Sequence, residues 1–125
     1  MDETRRNKEI VLAFYEEVFN GHDLSRLDEF VRDDYVQHNP TVENGREGFR
    51  HFAERFLSMG PKVDIVKVAA DGDLVFVFFR CTMDNGTVNK VCDIYRLEGG
   101  MLAEHWDVIE HDVGGINSVS GNSLF

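Results

Sequence analysis

The sequence predicts an α+β domain in which three helices precede an antiparallel sheet. Two observations carry this reading. Up to residue 58, apolar residues recur at three- and four-residue intervals, the period of a helix. From residue 62 they alternate, or run on without a break, between glycine-marked turns, the pattern of strands and hairpins. Gly60-Pro61 punctuates the change.

Residues 4–20 carry Ile10, Val11, Phe14, Val18 and Phe19 at helical spacing, and Asn20-Gly21 supplies a C-terminal stop. A second, shorter helix is expected next. Asp23 or Ser25 can cap it, Leu24, Leu27, Phe30 and Val31 form its apolar face, and Asp33-Asp34 ends it. Tyr35-Val36-Gln37-His38-Asn39-Pro40 reads as a short extended piece, because proline biases Asn39 away from helix. Residues 46–58 make the third helix, with Phe49, Phe52, Phe56 and Leu57 on one side.

Four strands follow in a meander. Lys62 to Ala70 turns at Asp71-Gly72-Asp73 into Leu74 to Met83, whose almost continuous apolar run suits a strand covered on both faces. Asp84-Asn85-Gly86 is a hairpin turn, and Glu98-Gly99-Gly100 joins Thr87–Leu97 to Met101–Glu110. Residues 112–125, rich in Gly, Ser and Asn, are expected to be a loose tail or a dimer-contacting arm of the single domain 1–125. A sheet curled around the first helix leaves a conical cavity open at one end, and such mouths commonly hold ligands.

The 125 residues suffice for one real core. Ten phenylalanines suggest a wide aromatic interior or an apolar pocket. A net charge of -10 and a pI of about 4.8 argue against nucleic acid or an anionic membrane as partner. No apolar run reaches membrane-spanning length, and Met1 to Arg6 lacks the apolar core of a signal peptide. Cys81 and Cys92, outside any CxxC or zinc spacing, read as buried thiols on strands, so the expected setting is a reducing cytoplasm. Asn85-Gly86-Thr87 matches a glycosylation sequon but makes a better turn.

The stretch Glu104-His105-Trp106-Asp107-Val108-Ile109 carries the chemistry. Side chains two apart on a strand share a face, so His105 and Asp107 point the same way. A three-residue loop at 98–100, with Leu97 opposite Met101, would put Asp93, Tyr95, His105 and Asp107 on one face, and Ile94, Leu102, Trp106 and Val108 on the other. A two-residue loop would instead group Asp93 with Trp106, and the chosen face could be the cavity wall or the outer surface. In an apolar cavity, desolvation would raise the pKa of Asp107 and suit it to act as a general base. His38 is expected to hydrogen-bond a substrate carbonyl or to hold Asp107, unless it only caps the turn after helix two; Asp93 would tune the site or share a proton. Tyr15 and Tyr35, read as core residues with hydroxyls near the rim, join Asn39, His105 and Trp106 as expected substrate contacts.

Five histidines fall in no metal-ligand spacing; His105 and His111 would lie about 20 Å apart along one strand. Neither cysteine has an adjacent base, and no glycine-rich phosphate cradle is present. No metal is therefore expected.

Tyr35–Pro40, Asp93-Ile94-Tyr95-Arg96 and Glu104–Val108 together resemble the SnoaL-like proteins of the nuclear-transport-factor-2-like superfamily, closest to the branch described as predicted aldol-condensation-catalysing enzymes. The resemblance runs from the first helix to about residue 111. It implies a cone-shaped barrel of three helices on a curved, mainly antiparallel sheet, usually a homodimer, with a pocket for a hydrophobic small molecule. It also implies cofactor-free chemistry, in which an aspartate near the end of the last strand forms an enolate that attacks a carbonyl; Asp107 is similar to that aspartate. Asp93 departs from the cyclase pattern, where a pocket histidine is expected. His38 and Asn39 lie in a segment that contributes polar pocket residues. The function expected is acid/base catalysis on a hydrophobic carbonyl compound, by aldol condensation, cyclisation or isomerisation. The rivals are a non-catalytic small-molecule-binding dimer and a hydrolase activating water. An Asp107 facing a closed apolar cavity beside His38 would favour the enzyme; an Asp107 on the convex side, or locked to an arginine such as Arg96, would favour binding or a scaffold.

Overall fold

The computed structural model describes residues 2–125. Asp2 caps the first helix, α1 (Glu3–Phe14), by accepting the Arg5 backbone N–H at 2.8 Å. A π-helical turn, Tyr15–Asn20, continues it. The helix α2 (Leu27–Phe30) is shorter than expected: the chain turns extended at Val31, and β1 (Val31–Gln37) runs through Asp33 and Asp34. Helix α3 (Gly45–Leu57) ends before Gly60, whose φ of +62° is the left-handed conformation that closes many helices. The strands β2 (Lys62–Asp71), β3 (Leu74–Thr82), β4 (Val88–Glu98) and β5 (Met101–Glu110) follow.

The sheet has five strands, not four, in the order β1-β5-β4-β3-β2. The meander β2–β5 is antiparallel, and β1 joins β5 in parallel, pairing Gln37 with His105. This gives the expected α+β class with a mainly antiparallel sheet.

The last hairpin takes neither of the two expected registers. Glu98 pairs with Met101, so the loop is the two-residue Gly99-Gly100, with φ of +59° and +79° as a tight primed turn requires. A bulge then shifts the pairing from Leu97–Leu102 to Arg96–Glu104. Beyond it, Tyr95 faces His105 and Asp93 faces Asp107, so the predicted inward grouping exists through a different device. Leu102 is the exception. Before the bulge it points inward, fully buried, rather than outward with Trp106.

The core lies between the helices and the inner sheet face. Val11 and Phe14 of α1, Leu27, Val31, and Val75 and Val77 of β3 are wholly buried. Phe14 meets Tyr15, Phe19 and Tyr95 edge-on at centroid distances of 5.4–6.1 Å. Strand β3 is not covered on both faces. Val75, Val77, Phe79 and Cys81 are buried, whereas Phe76 on the outer face is 36% exposed. After β5 the chain has no regular structure, yet Val113 is buried and Phe125 stacks on Phe78.

Candidate active site

Helix α3, the π turn and strands β1–β5 line a cavity of about 240 Å³. One end is apolar, walled by Phe19, Phe49, Phe52, Phe56, Val63 and Phe79. Phe52 and Phe56, one helical turn apart on α3, stack at 5.2 Å. The other end is polar and gathers Tyr15, Gln37, Asn39, Asp93, Tyr95, His105 and Asp107. Among the described residues no lysine or arginine lines the cavity.

Strand alternation builds the polar end. On β4, Asp93 and Tyr95 point inward; on β5, His105 and Asp107 do so directly opposite. Asp93 is 6% exposed and survives burial because donors surround it. The Tyr15 hydroxyl donates to Asp93 Oδ2 in a short contact, and that of Tyr95 lies 3.2 Å from the same oxygen and 2.8 Å from Tyr15 Oη. His105 Nε2 lies 3.0 Å from Asp93 Oδ1 and 3.8 Å from Asp107 Oδ2. Burial, and then the charge of Asp93, pushes the Tyr15, Tyr35 and Tyr95 hydroxyls well above the usual phenol range, so all three stay protonated.

Asp107 is met from the β1 side. Asn39 donates through Nδ2 to Asp107 Oδ2 at 2.7 Å. The Asn39 amide cannot be reversed, because its Oδ1 accepts both the backbone N–H and the hydroxyl of Thr41 at 2.8 Å. The Asp107 side chain retains 11% of its exposure, and that surface opens into the cavity.

Of the expected site residues, Asp107, Asp93, Tyr15, Tyr35, Asn39 and His105 all line this cavity. His38 and Trp106 do not. Alternation turns Trp106 to the outer face, and the His38 ring stacks on it at 4.8 Å and 2°. There His38 Nε2 lies 2.7 Å from Glu104 Oε2, and Arg96 donates to Glu104 Oε1 at 2.9 Å. His38 thus has no access to Asp107 or to a carbonyl in the cavity, and Arg96 pairs with Glu104 rather than with Asp107. The imidazole beside Asp107 is His105.

Beyond the expected site residues, the polar side chains of Gln37, Thr41, Asn89, Tyr95 and His111 also line the cavity. The signal for Gln37 was alternation itself: if His38 points out, its neighbours Gln37 and Asn39 point in. Cys81 also reaches the cavity wall, where burial and then Asp93 push its thiol to about 11, so it is no nucleophile at neutral pH.

Ligand-type atoms of Asp93, His105 and Asp107 lie within 4.8 Å of one another. A metal would need a lone pair from the imidazole. Both nitrogens instead face acceptors, Nε2 toward Asp93 Oδ1 and Nδ1 toward Gln37 Oε1 at 2.7 Å. The trio as arranged fits a proton network, not a cation cage.

In sequence, residues 11–105 match the SnoaL-like domain family. No curated protein matches the chain. Among solved structures, IdmH from Streptomyces antibioticus, a candidate polyketide cyclase, is similar at a TM-score of 0.73 and 20% identity, covering 83% of this chain and 91% of that one. An epoxide hydrolase of the LEH-like type from M. tuberculosis is similar at 0.75 and 23% identity, with 87% and 86% covered. A candidate ketosteroid isomerase from Kribbella flavida is similar at 0.77 and 15% identity, with 86% and 80% covered. At these identities the likeness is one of fold.

Proposed function

The chain belongs to the SnoaL-like domain family, and from that premise we propose that it is a cofactor-independent acid/base enzyme acting on a hydrophobic carbonyl compound. The observation that carries the proposal is a carboxylate, Asp107, opening into a phenylalanine-walled cavity beside an imidazole. Asp107 takes a proton from the carbon next to the carbonyl, and the electron pair left behind becomes an enolate with its charge on oxygen. The enolate carbon then attacks a second carbonyl carbon, whose oxygen receives the π electrons and takes the proton back from Asp107, or Asp107 returns the proton at another carbon. The first course is aldol condensation or cyclisation; the second is isomerisation. His105, rather than His38, supplies the positive counterpart to the enolate oxygen. Asp93 holds His105, and Asn39 keeps Asp107 aimed at the cavity. A positioned general base is worth roughly 10²–10⁴-fold.

Proton abstraction is tested directly by deuterium exchange from heavy water into the α-carbon of aromatic and polyketide-like ketones, followed by NMR. Exchange catalysed by the native protein and lost in Asp107→Asn supports the reading. Exchange unchanged in that variant removes Asp107 from its role.

One observation favours a second reading. Asn39 and Asp107 meet edge to edge at the cavity, an arrangement that also suits holding a water for attack, as an epoxide or ester hydrolase needs. Turnover of epoxides without α-proton exchange would select it. Ligand binding with neither activity would leave a binding module. We further propose a homodimer that buries Phe76, Trp106 and Val108 on the outer sheet face, where Val108 is 70% exposed. The two unpaired thiols fit a reducing cytoplasm.

A further inference from the structure

Gln37 lies on β1 beside His105, and its side-chain oxygen is surrounded by donors. The backbone N–H of His38 reaches Oε1 at 3.0 Å and that of Asn39 at 2.9 Å. An amide nitrogen cannot accept from a backbone N–H, so those two groups fix which end of the Gln37 amide faces them. The same oxygen lies 2.7 Å from His105 Nδ1. Nδ1 must therefore carry a proton.

The other nitrogen faces a carboxylate. Asp93 Oδ2 already accepts the Tyr15 hydroxyl and is in reach of that of Tyr95, so Oδ1, the oxygen that faces the ring, is left to accept from His105. Donating to that oxygen, Nε2 also carries a proton, 3.0 Å from Asp93 Oδ1 and 3.8 Å from Asp107 Oδ2. The remaining groups facing the ring are phenols, Tyr95 at a centroid distance of 4.9 Å and Tyr35 stacked at 6.5 Å. Among the described residues no cation lies against it to oppose the charge.

We infer that Gln37 is a positioning residue that holds His105 as a doubly protonated imidazolium between Asp93 and Asp107. The ring is then a fixed cation, unable to act as a base. Its charge lies where an enolate oxygen beside Asp107 would need it. The protonation state stands on hydrogen bonds alone; its bearing on turnover rests on the reading of Asp107 as the base.

The test is long-range proton–nitrogen NMR on the whole protein labelled with ¹⁵N-histidine, at about pH 7.5, where an ordinary imidazole is mostly neutral. The His105 signals are assigned by their loss in His105→Asn. Native His105 is expected to show protons on both nitrogens. Gln37→Leu, which removes the acceptor, should shift the ring to a singly protonated form, and Gln37→Glu should restore the double signature. A native His105 with one bare nitrogen overturns the inference, as does a Gln37→Leu ring that keeps both protons. If Gln37→Leu does not fold, the native spectrum and Gln37→Glu decide. Deuterium exchange surviving in Asp107→Asn would sink the proposed function and leave this spectrum untouched.

Discussion

Asn39 donates its side-chain amide to Asp107 at 2.7 Å across 68 residues of sequence. The contact joins the segment after β1 to the last strand at the floor of the cavity. A hydrogen bond to a charged group is worth about 1.5–3 kcal/mol. Asn39→Ala should therefore slow α-proton exchange by roughly 10–100-fold while the far-ultraviolet dichroism stays native. Unchanged exchange would show that Asp107 needs no holding.

Charge selectivity follows from the lining. Two carboxylates and two imidazoles, His105 and His111, line the cavity, and no lysine or arginine among the described residues does. Bringing in a third carboxylate would leave it buried and unpaired. Neutral aromatic ketones should raise the melting temperature in thermal-shift assays, and the matching carboxylic acids should not. Equal stabilisation by both would contradict the charge balance drawn for the site.

All three tyrosines of the chain are buried with their hydroxyls held well above the usual phenol range, first by desolvation. Their folded values exceed the unfolded value of about 10. The stability they contribute is thus complete below about pH 10 and is lost as pH rises toward the folded values. Tyrosinate absorbance should stay absent until the protein unfolds, then appear together with the loss of dichroism. A tyrosine titrating near pH 10 in the folded protein would refute this.

Cys81, with its thiol pushed to about 11 by burial and then by Asp93, should resist alkylation at neutral pH. Mass spectrometry of iodoacetamide-treated native protein should find Cys81 unmodified, with labelling appearing after denaturation. Rapid native labelling at that position would mean that the cavity wall opens.

His38→Ala removes the ring stacked on Trp106, a contact of about 0.5–1.5 kcal/mol. The variant should melt a few degrees lower and retain full exchange activity. Lost activity without lost stability would place His38 in the chemistry after all.

The local elements were legible because each is written within a few residues. The Val11/Phe14/Val18 stripe, the Gly60 break and the Asp71–Asp73 turn depend only on period and backbone freedom. The boundary of α2 was misread because Val31 satisfies a helical stripe as well as a strand, and pairing of β1 with β5 decided between them. The order His38-Asn39-Pro40 marks an ordered segment but does not say which way the His38 ring points. The plainer rule of alternation would have turned it outward and brought Gln37 in.

By itself the sequence determined the class of fold, the shared face of His105 and Asp107, and the greasy character of the interior, since these are short-range consequences of residue type and spacing. Only the tertiary structure decided which imidazole stands beside the acid, that Asn39 and Gln37 serve as its supports, and that a bulge after Gly99-Gly100 brings Asp93 opposite Asp107. The reason is one of sensitivity. A single residue of register turns a strand's side chains to the opposite face, and that register is set by contacts between segments far apart along the chain.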